Sequence, residues 1–207
     1  MQKDLKEATA YRQQLRKRIM ETALKAFMQY GIRAARMAGI ASMLGISKRT
    51  LYEIYDDKEQ LLYESIKMYD HQRRQHLTDF AAANHHVIDV ILEVYRMKVE
   101  ELRTVNPAFY TDILKYPKLA QYIRDNNERT REDFVRFMQR GVEDGYLRKS
   151  VNYELIPLMF DAIGHYVLDH ELIRQYSIEE LFSNLFLVAL RGLCTQKGLR
   201  IIDEAKL

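Results

Sequence analysis

The sequence predicts an all-α protein, and three observations carry that reading. Gly and Pro are scarce, 8 and 3 in 207 residues, so the chain has few helix breakers and few places to turn. Leu, Met, Ala, Glu, Lys and Arg, all strong helix formers, are abundant instead. Apolar residues also recur at alternating spacings of three and four through most of the chain, the period of one helix face. The length suffices for one sizeable core, or for a small domain joined to a larger one.

Residues 1–11 are polar and read as a frayed or helical lead-in. Over residues 11–30, Leu15, Ile19, Ala23, Phe27 and Tyr30 form an apolar stripe, with Arg12, Arg16, Lys17 and Arg18 opposite. Gly31 ends that helix. The basic cluster reads either as a solvated face or as one that lies beside a phosphate backbone.

A short second helix is expected over residues 37–44. Ala41 is small enough for another helix to cross close above it. Gly45 falls where the helix must stop in a backbone conformation that a Cβ resists. Ile46 fills the angle, and Ser47 can cap the next helix by accepting from a free backbone N–H. That third helix, residues 48–55, turns Leu51 inward and leaves Lys48, Arg49, Thr50 and Tyr52 on or near its exposed side. These are the spacings of a helix-turn-helix, whose second helix suits the major groove of DNA.

Asp57 and Gln60 form a capping-box pair that opens a fourth helix, expected to run through Leu61, Leu62, Ser65, Ile66 and Tyr69 to about residue 80. Lys58 in its first turn opposes the helix dipole, which makes more sense with a phosphate in front of it. A fifth helix spans residues 86–105. Pro107 and Pro117 bracket a short segment, and a long helix over residues 119–143 stops at Gly145. The last two helices, residues 153–175 and 177–196, are apolar over more than the roughly 100° stripe that a surface helix needs. A partner must cover them, and Ile163, Leu181, Leu185 and Val188 are the residues chosen for that interface.

Charge divides the chain. Residues 1–55 hold eleven Lys and Arg against four Asp and Glu, whereas the remainder holds 21 against 25. A basic head on a mildly acidic body fits a nucleic-acid-binding segment joined to a separate effector segment. Cys194 is the single cysteine, so no internal disulfide is available, and it reads as a small apolar helix residue rather than a redox sensor. No apolar run reaches the length of a membrane span, and the first residues lack the apolar core of a secretion signal, so a cytoplasmic location is expected.

Phe27, Gly31, Ile40-Ala41, Gly45-Ile46-Ser47, Thr50-Leu51-Tyr52, Tyr55 and Lys58-Glu59 with Leu61-Leu62 resemble the N-terminal domain of the tetracycline-repressor (TetR) family. The resemblance covers about the first quarter of the chain. It implies an all-α fold with an N-terminal three-helix helix-turn-helix DNA-binding domain, residues 1–58. A C-terminal helical domain for ligand binding and dimerisation, residues 59–207, would follow. It also implies a ligand-responsive transcriptional regulator, usually a repressor, that binds a palindromic DNA operator as a homodimer. The last two helices would form a four-helix bundle with their counterparts. The effector would be an unknown small organic molecule, with no cofactor, no metal and no enzymatic activity.

Arg49 and Thr50 are then expected to read bases, while Arg36, Tyr52, Tyr55 and Lys58 hold phosphates beside Lys48. Three departures from the family pattern matter. Ala35-Arg36 replaces the usual Thr-Thr, so the second helix loses its side-chain cap and gains a guanidinium. Arg49 stands where Gly is common and suits a bidentate contact to guanine. Ile54 replaces an aromatic or His, and Glu53 beside it either points away, reads a cytosine amine or pairs with a neighbouring base.

Candidates for an effector pocket are the aromatics and Met among isolated polar groups. They are Tyr95 and Lys98 on the fifth helix, Phe109 and Tyr110 on the short segment, Phe134, Phe137 and Met138 on the long helix, and Met159, Phe160 and His165 on the penultimate one. Each also reads as plain core. Asp161, His165 and Asp169 lie four apart and could hold a metal, but an acidic-histidine stripe is more often an interfacial feature. The rival overall reading is a helical partner-binding adaptor with a degenerate DNA-binding head.

Overall fold

A computed structural model describes residues 2–83 and 85–205. The described chain forms helices α1 (Gln2–Tyr30), α2 (Met37–Leu44), α3 (Lys48–Tyr52), α4 (Lys58–Ala82), α5 (Val87–Thr104), α6 (Pro107–Ile113), α7 (Pro117–Glu143) and α8 (Ile156–Asp169). A 3₁₀ turn at Leu172–Arg174 follows, then α9 (Ile178–Leu181), a π-helical stretch (Phe182–Leu187), α10 (Val188–Leu193) and α11 (Gln196–Glu204). The one bridge among the described residues is antiparallel, between Leu147 and Cys194. The fold is all-α.

Local chemistry sets the boundaries. Gly31, Gly45 and Gly145 take φ of 82°, 66° and 77°, and each ends or follows a helix as the sequence predicts. Residues 153–175 do not form one helix. Tyr153 is buried and donates its hydroxyl to the Arg148 carbonyl, so α8 starts only at Ile156. Beyond Asp169, Glu171 enters the left-handed region at φ 51° and the helix cannot continue. The last expected helix is interrupted by π geometry and stops at Leu193. Cys194 is extended, and Thr195 caps α11 by accepting from the Gly198 N–H. Helix α11 follows beyond the last helix that the sequence predicts.

The chain packs as two units: residues 1–75 with 104–123, and residues 76–103 with 124–207. A cut at 58/59 marks where the motif ends. Packing carries the first unit further, because Leu61, Leu62, Ser65 and Ile66 of α4 are buried in it.

In the first unit Ile19 and Phe27 from α1, Ile40 from α2, Leu51 from α3 and Leu61 and Leu62 from α4 close one core, joined by Val105, Phe109 and Leu119. The Asn106 N–H donates to the Met28 carbonyl at 2.7 Å. Buried Asp112 pairs with Lys115 at 2.8 Å and Arg33 at 3.2 Å. The Lys115 hydrogen bond, aided by the Arg33 charge, holds the Asp112 carboxyl below its ordinary range.

In the second unit Val87, Ile88, Leu92, Met138, Leu147, Leu190, Leu193 and Ile202 form the core. The Tyr146 hydroxyl bonds His86 Nδ1 at 3.0 Å, and the Lys197 ammonium lies 3.9 Å from the Tyr146 ring centre. Burial pushes the Cys194 thiol up to about 11, which keeps it protonated and unreactive. Tyr95, Phe160, Phe182 and Phe186 make an aromatic group. Tyr95 meets Phe182 at 3.5 Å and Phe186 at 6.0 Å, and Phe160 meets Phe186 at 4.9 Å between centroids. Arg103 pairs with Glu179 near Tyr95.

Candidate nucleic-acid interface

The interface is built from α2, the turn after it, and α3. Ala41 is buried at the crossing, and the Gly45 and Ile46 N–H groups donate back to Ser42 and Ala41 carbonyls, which closes α2. Ser47 adopts extended backbone, and its hydroxyl accepts from the Thr50 N–H at 3.0 Å. Leu51 is fully buried and fixes the rotation of α3. Lys48, Arg49 and Tyr52 are consequently exposed, and Thr50 is half-buried with its hydroxyl 2.9 Å from that of Ser47. Helix α3 ends at Tyr52 rather than at residue 55.

Within that surface the side chains are partly organised already. The Lys48 ammonium sits 5.7 Å from the Tyr52 ring centre. Arg49 Nε donates to Glu53 Oε1 at 2.9 Å, so Glu53 pairs with a neighbouring basic residue on its own face. Arg36 precedes α2 in extended backbone, makes no side-chain cap, and is exposed.

Two of the expected phosphate contacts need revision. Tyr55 is fully buried, and its hydroxyl is the one buried side-chain polar atom without a hydrogen-bond partner among the described residues. It lies in the core because it follows Leu51 by four positions. Burial pushes its phenol up to about 12 although the nearby Arg16 charge works against the rise. Tyr55 is thus a core residue and not a phosphate ligand. Lys58 is half-buried and donates to the Ile32 carbonyl at 2.9 Å and the Ala35 carbonyl at 3.5 Å. Two of its three protons hold the α1–α2 turn, and one is left for a phosphate.

Arg16 is also committed inside the unit, to Glu64 at 2.5 Å and over the Tyr55 ring at 5.2 Å. Arg12 and Arg18 remain exposed. At the start of α4, Asp57 caps by accepting from the Gln60 N–H at 2.7 Å. The Gln60 side chain reaches the Asp56 N–H, one residue before the one a capping box would use.

Residues 19–64 match the family model described as bacterial regulatory proteins, tetR family. Residues 19–64 therefore form an N-terminal domain of the TetR type. It is 23% identical over 157 residues to the HTH-type transcriptional repressor KstR2 of Mycobacterium tuberculosis, an alignment covering 67% of this chain and 72% of that protein. Its fold is similar to that of a transcriptional regulator from Saccharomonospora viridis solved in complex with choline. The TM-score is 0.73 at 16% identity, over 89% of this chain and all of that one. A TetR transcriptional regulator from Chloroflexus aurantiacus superposes with TM-score 0.68 at 21% identity, over 89% of this chain and 98% of that one. The chain is therefore a DNA-binding transcriptional regulator.

The ten expected pocket residues are divided between the two units. Phe109 is buried in the first unit's core and Tyr110 packs against the same core. Tyr95, Phe134, Phe137, Met138 and Phe160 belong to the second unit. Met138 is fully buried there, Met159 is half-buried, and Lys98 pairs with Glu101 at 3.0 Å. His165 is exposed. Phe182 and Phe186, which complete the aromatic group, sit inside a run that reads as one apolar helix, so nothing in the sequence singles them out.

Proposed function

We propose that this TetR-family regulator acts as a repressor, binding a near-palindromic operator as a C2 homodimer and releasing it when a small organic effector binds. The observation that supports this most is the short exposed α3, held by buried Leu51 and the Ser47 cap, with Lys48, Arg49 and Tyr52 displayed together. Two such helices would enter successive major grooves about one helical turn apart. Arg49 and Thr50 read bases, and Arg36, Lys48, Tyr52 and the remaining proton of Lys58 meet phosphates.

The homodimer reading draws on apolar side chains along α8 to α10. Val188 is 61% exposed, and Leu158 and Tyr166 are exposed too, while Ile163, Leu181 and Leu185 are only half-buried. A second copy would cover them. The effector reading draws on Tyr95, Phe160, Phe182 and Phe186, of which two lie on the π-helical stretch, a backbone form frequent at functional sites. These rings suit an organic molecule with a flat or cationic face, and one structural neighbour was solved with choline. Effector binding would favour a head spacing that no longer fits both half-sites, a population shift set by its differential affinity for two states. The protein works in the cytoplasm, where its DNA lies, and catalyses no reaction.

A fluorescence titration of labelled random-sequence duplex DNA at two salt concentrations tests the DNA-binding part. Affinity should fall steeply as salt rises, because phosphate contacts release counterions. Selection from a random duplex library should then recover a palindrome. Binding that ignores salt, or no binding at all, would favour the partner-binding adaptor.

A further inference from the structure

We infer that Glu53 is a specificity-determining residue, which positions Arg49 to read guanine and keeps it from settling on phosphates. The inference rests on the proposal that Arg49 reads a base. A carboxylate on the DNA-facing surface is costly beside a polyanion, so its presence asks for a function. Stability does not supply one. Arg49 and Glu53 are an (i, i+4) pair whose side chains are 88% and 56% exposed, and such pairs contribute little to folding.

The geometry supplies a better reason. Glu53 Oε1 accepts from Nε at 2.9 Å, the inner corner of the guanidinium. The outer edge, with Nη1 and Nη2, keeps two parallel N–H groups for the O6 and N7 of one guanine. An arginine this exposed and without its carboxylate would sweep a wide cone and find phosphate oxygens, which carry no sequence information. The nearest cation on α3, Lys48, lies over the Tyr52 ring and does not compete for Glu53. Glu53 therefore narrows what Arg49 can touch and weakens binding to arbitrary DNA at the same time. Specificity, a difference of two affinities, rises on both counts.

The test uses full-length wild type, Arg49→Ala, Glu53→Ala, Glu53→Gln and the Arg49→Ala/Glu53→Ala double variant. Each is taken through selection on a random duplex library. Each is then titrated with the recovered wild-type duplex, and with that duplex carrying a replacement at the guanine pair. Arg49→Ala should cut discrimination at that pair by roughly tenfold or more. Glu53→Ala should lose most of the same discrimination at the same pair, while binding unrelated duplex more tightly than wild type does. The double variant should be no less discriminating than Arg49→Ala alone. Glu53→Gln, which keeps an oxygen for Nε, should retain more discrimination than Glu53→Ala. Circular dichroism melting should match wild type throughout, since both side chains are exposed. Glu53→Ala with undiminished guanine preference, or with a loss at a different base pair, would overturn the positioning role. Arg49→Ala with all preferences intact would instead overturn base reading by Arg49 itself.

Discussion

The first unit and the last helices of the second bury their apolar residues very differently. Ile19, Phe27, Ile32, Leu51, Tyr55, Leu61 and Leu62 are all at 0% exposure, so the reading head closes its own core. Along α8 to α10, by contrast, Leu158, Tyr166 and Val188 stand exposed, and no described residue of α9 or the π-helical stretch is buried. The contrast separates two kinds of sequence. One gives each helix a single apolar stripe that its own unit covers, and the other leaves large apolar side chains exposed in the single chain.

The largest effect expected from this contrast is on the head. Phe27→Ala removes a fully buried ring at the centre of its core and should destabilise it by about 3–5 kcal/mol. Chemical denaturation followed by circular dichroism would show it as an early transition. Next comes Val188→Arg. The residue is exposed in the single chain, so the variant should fold, yet two copies would then bury unpaired charge in their seam. Sedimentation equilibrium should show self-association weakened at least about a hundredfold, near 2.7 kcal/mol. A dimer of wild-type affinity would remove the case for this face.

Smaller effects test how the head is held. Ser47→Ala deletes the oxygen that accepts from the Thr50 N–H and should cost about 1 kcal/mol, read as a lower melting temperature and weaker duplex binding. Tyr55→Phe removes a buried hydroxyl without a partner and should leave neutral-pH stability unchanged or raised by up to about 1 kcal/mol, with DNA affinity intact. Its pH signature has a definite sign. Between the ordinary tyrosine value of 10 and about 12 the unfolded chain loses the Tyr55 proton while the folded chain keeps it. Wild-type stability must fall as pH rises through that window, and Tyr55→Phe should lack that share of the loss. Equal alkaline curves for both proteins would contradict the buried position.

The head was legible because its determinants are local. Gly45, Ser47 and Leu51 each fix a turn, a cap or a rotation within a few residues, and the structure places all three as their chemistry requires. Resemblance misled at Tyr55, where the spacing of four from Leu51 already pointed inward. Lys58 has carbonyl partners 26 and 23 positions away, which no local pattern announces. In the body, aromatic spacing shows that a side chain faces inward but not into which core, so Phe109 was grouped with Tyr95 although each packs in a different unit. The π-helical stretch has no sequence signature. Helix α11 did have one, the Thr195 cap, but it follows too closely on an apolar run to stand out.

Hydrogen exchange over a dilution series tests the contrast most directly, because local protection reports which contacts are present. Peptides covering residues 178–193 should exchange faster as wild-type protein is diluted, and at every concentration in Val188→Arg. Peptides covering residues 19–64 should exchange at one rate throughout. Exchange in residues 178–193 that is slow in both proteins and indifferent to concentration would mean that the single chain already protects these helices, and that no second copy completes them.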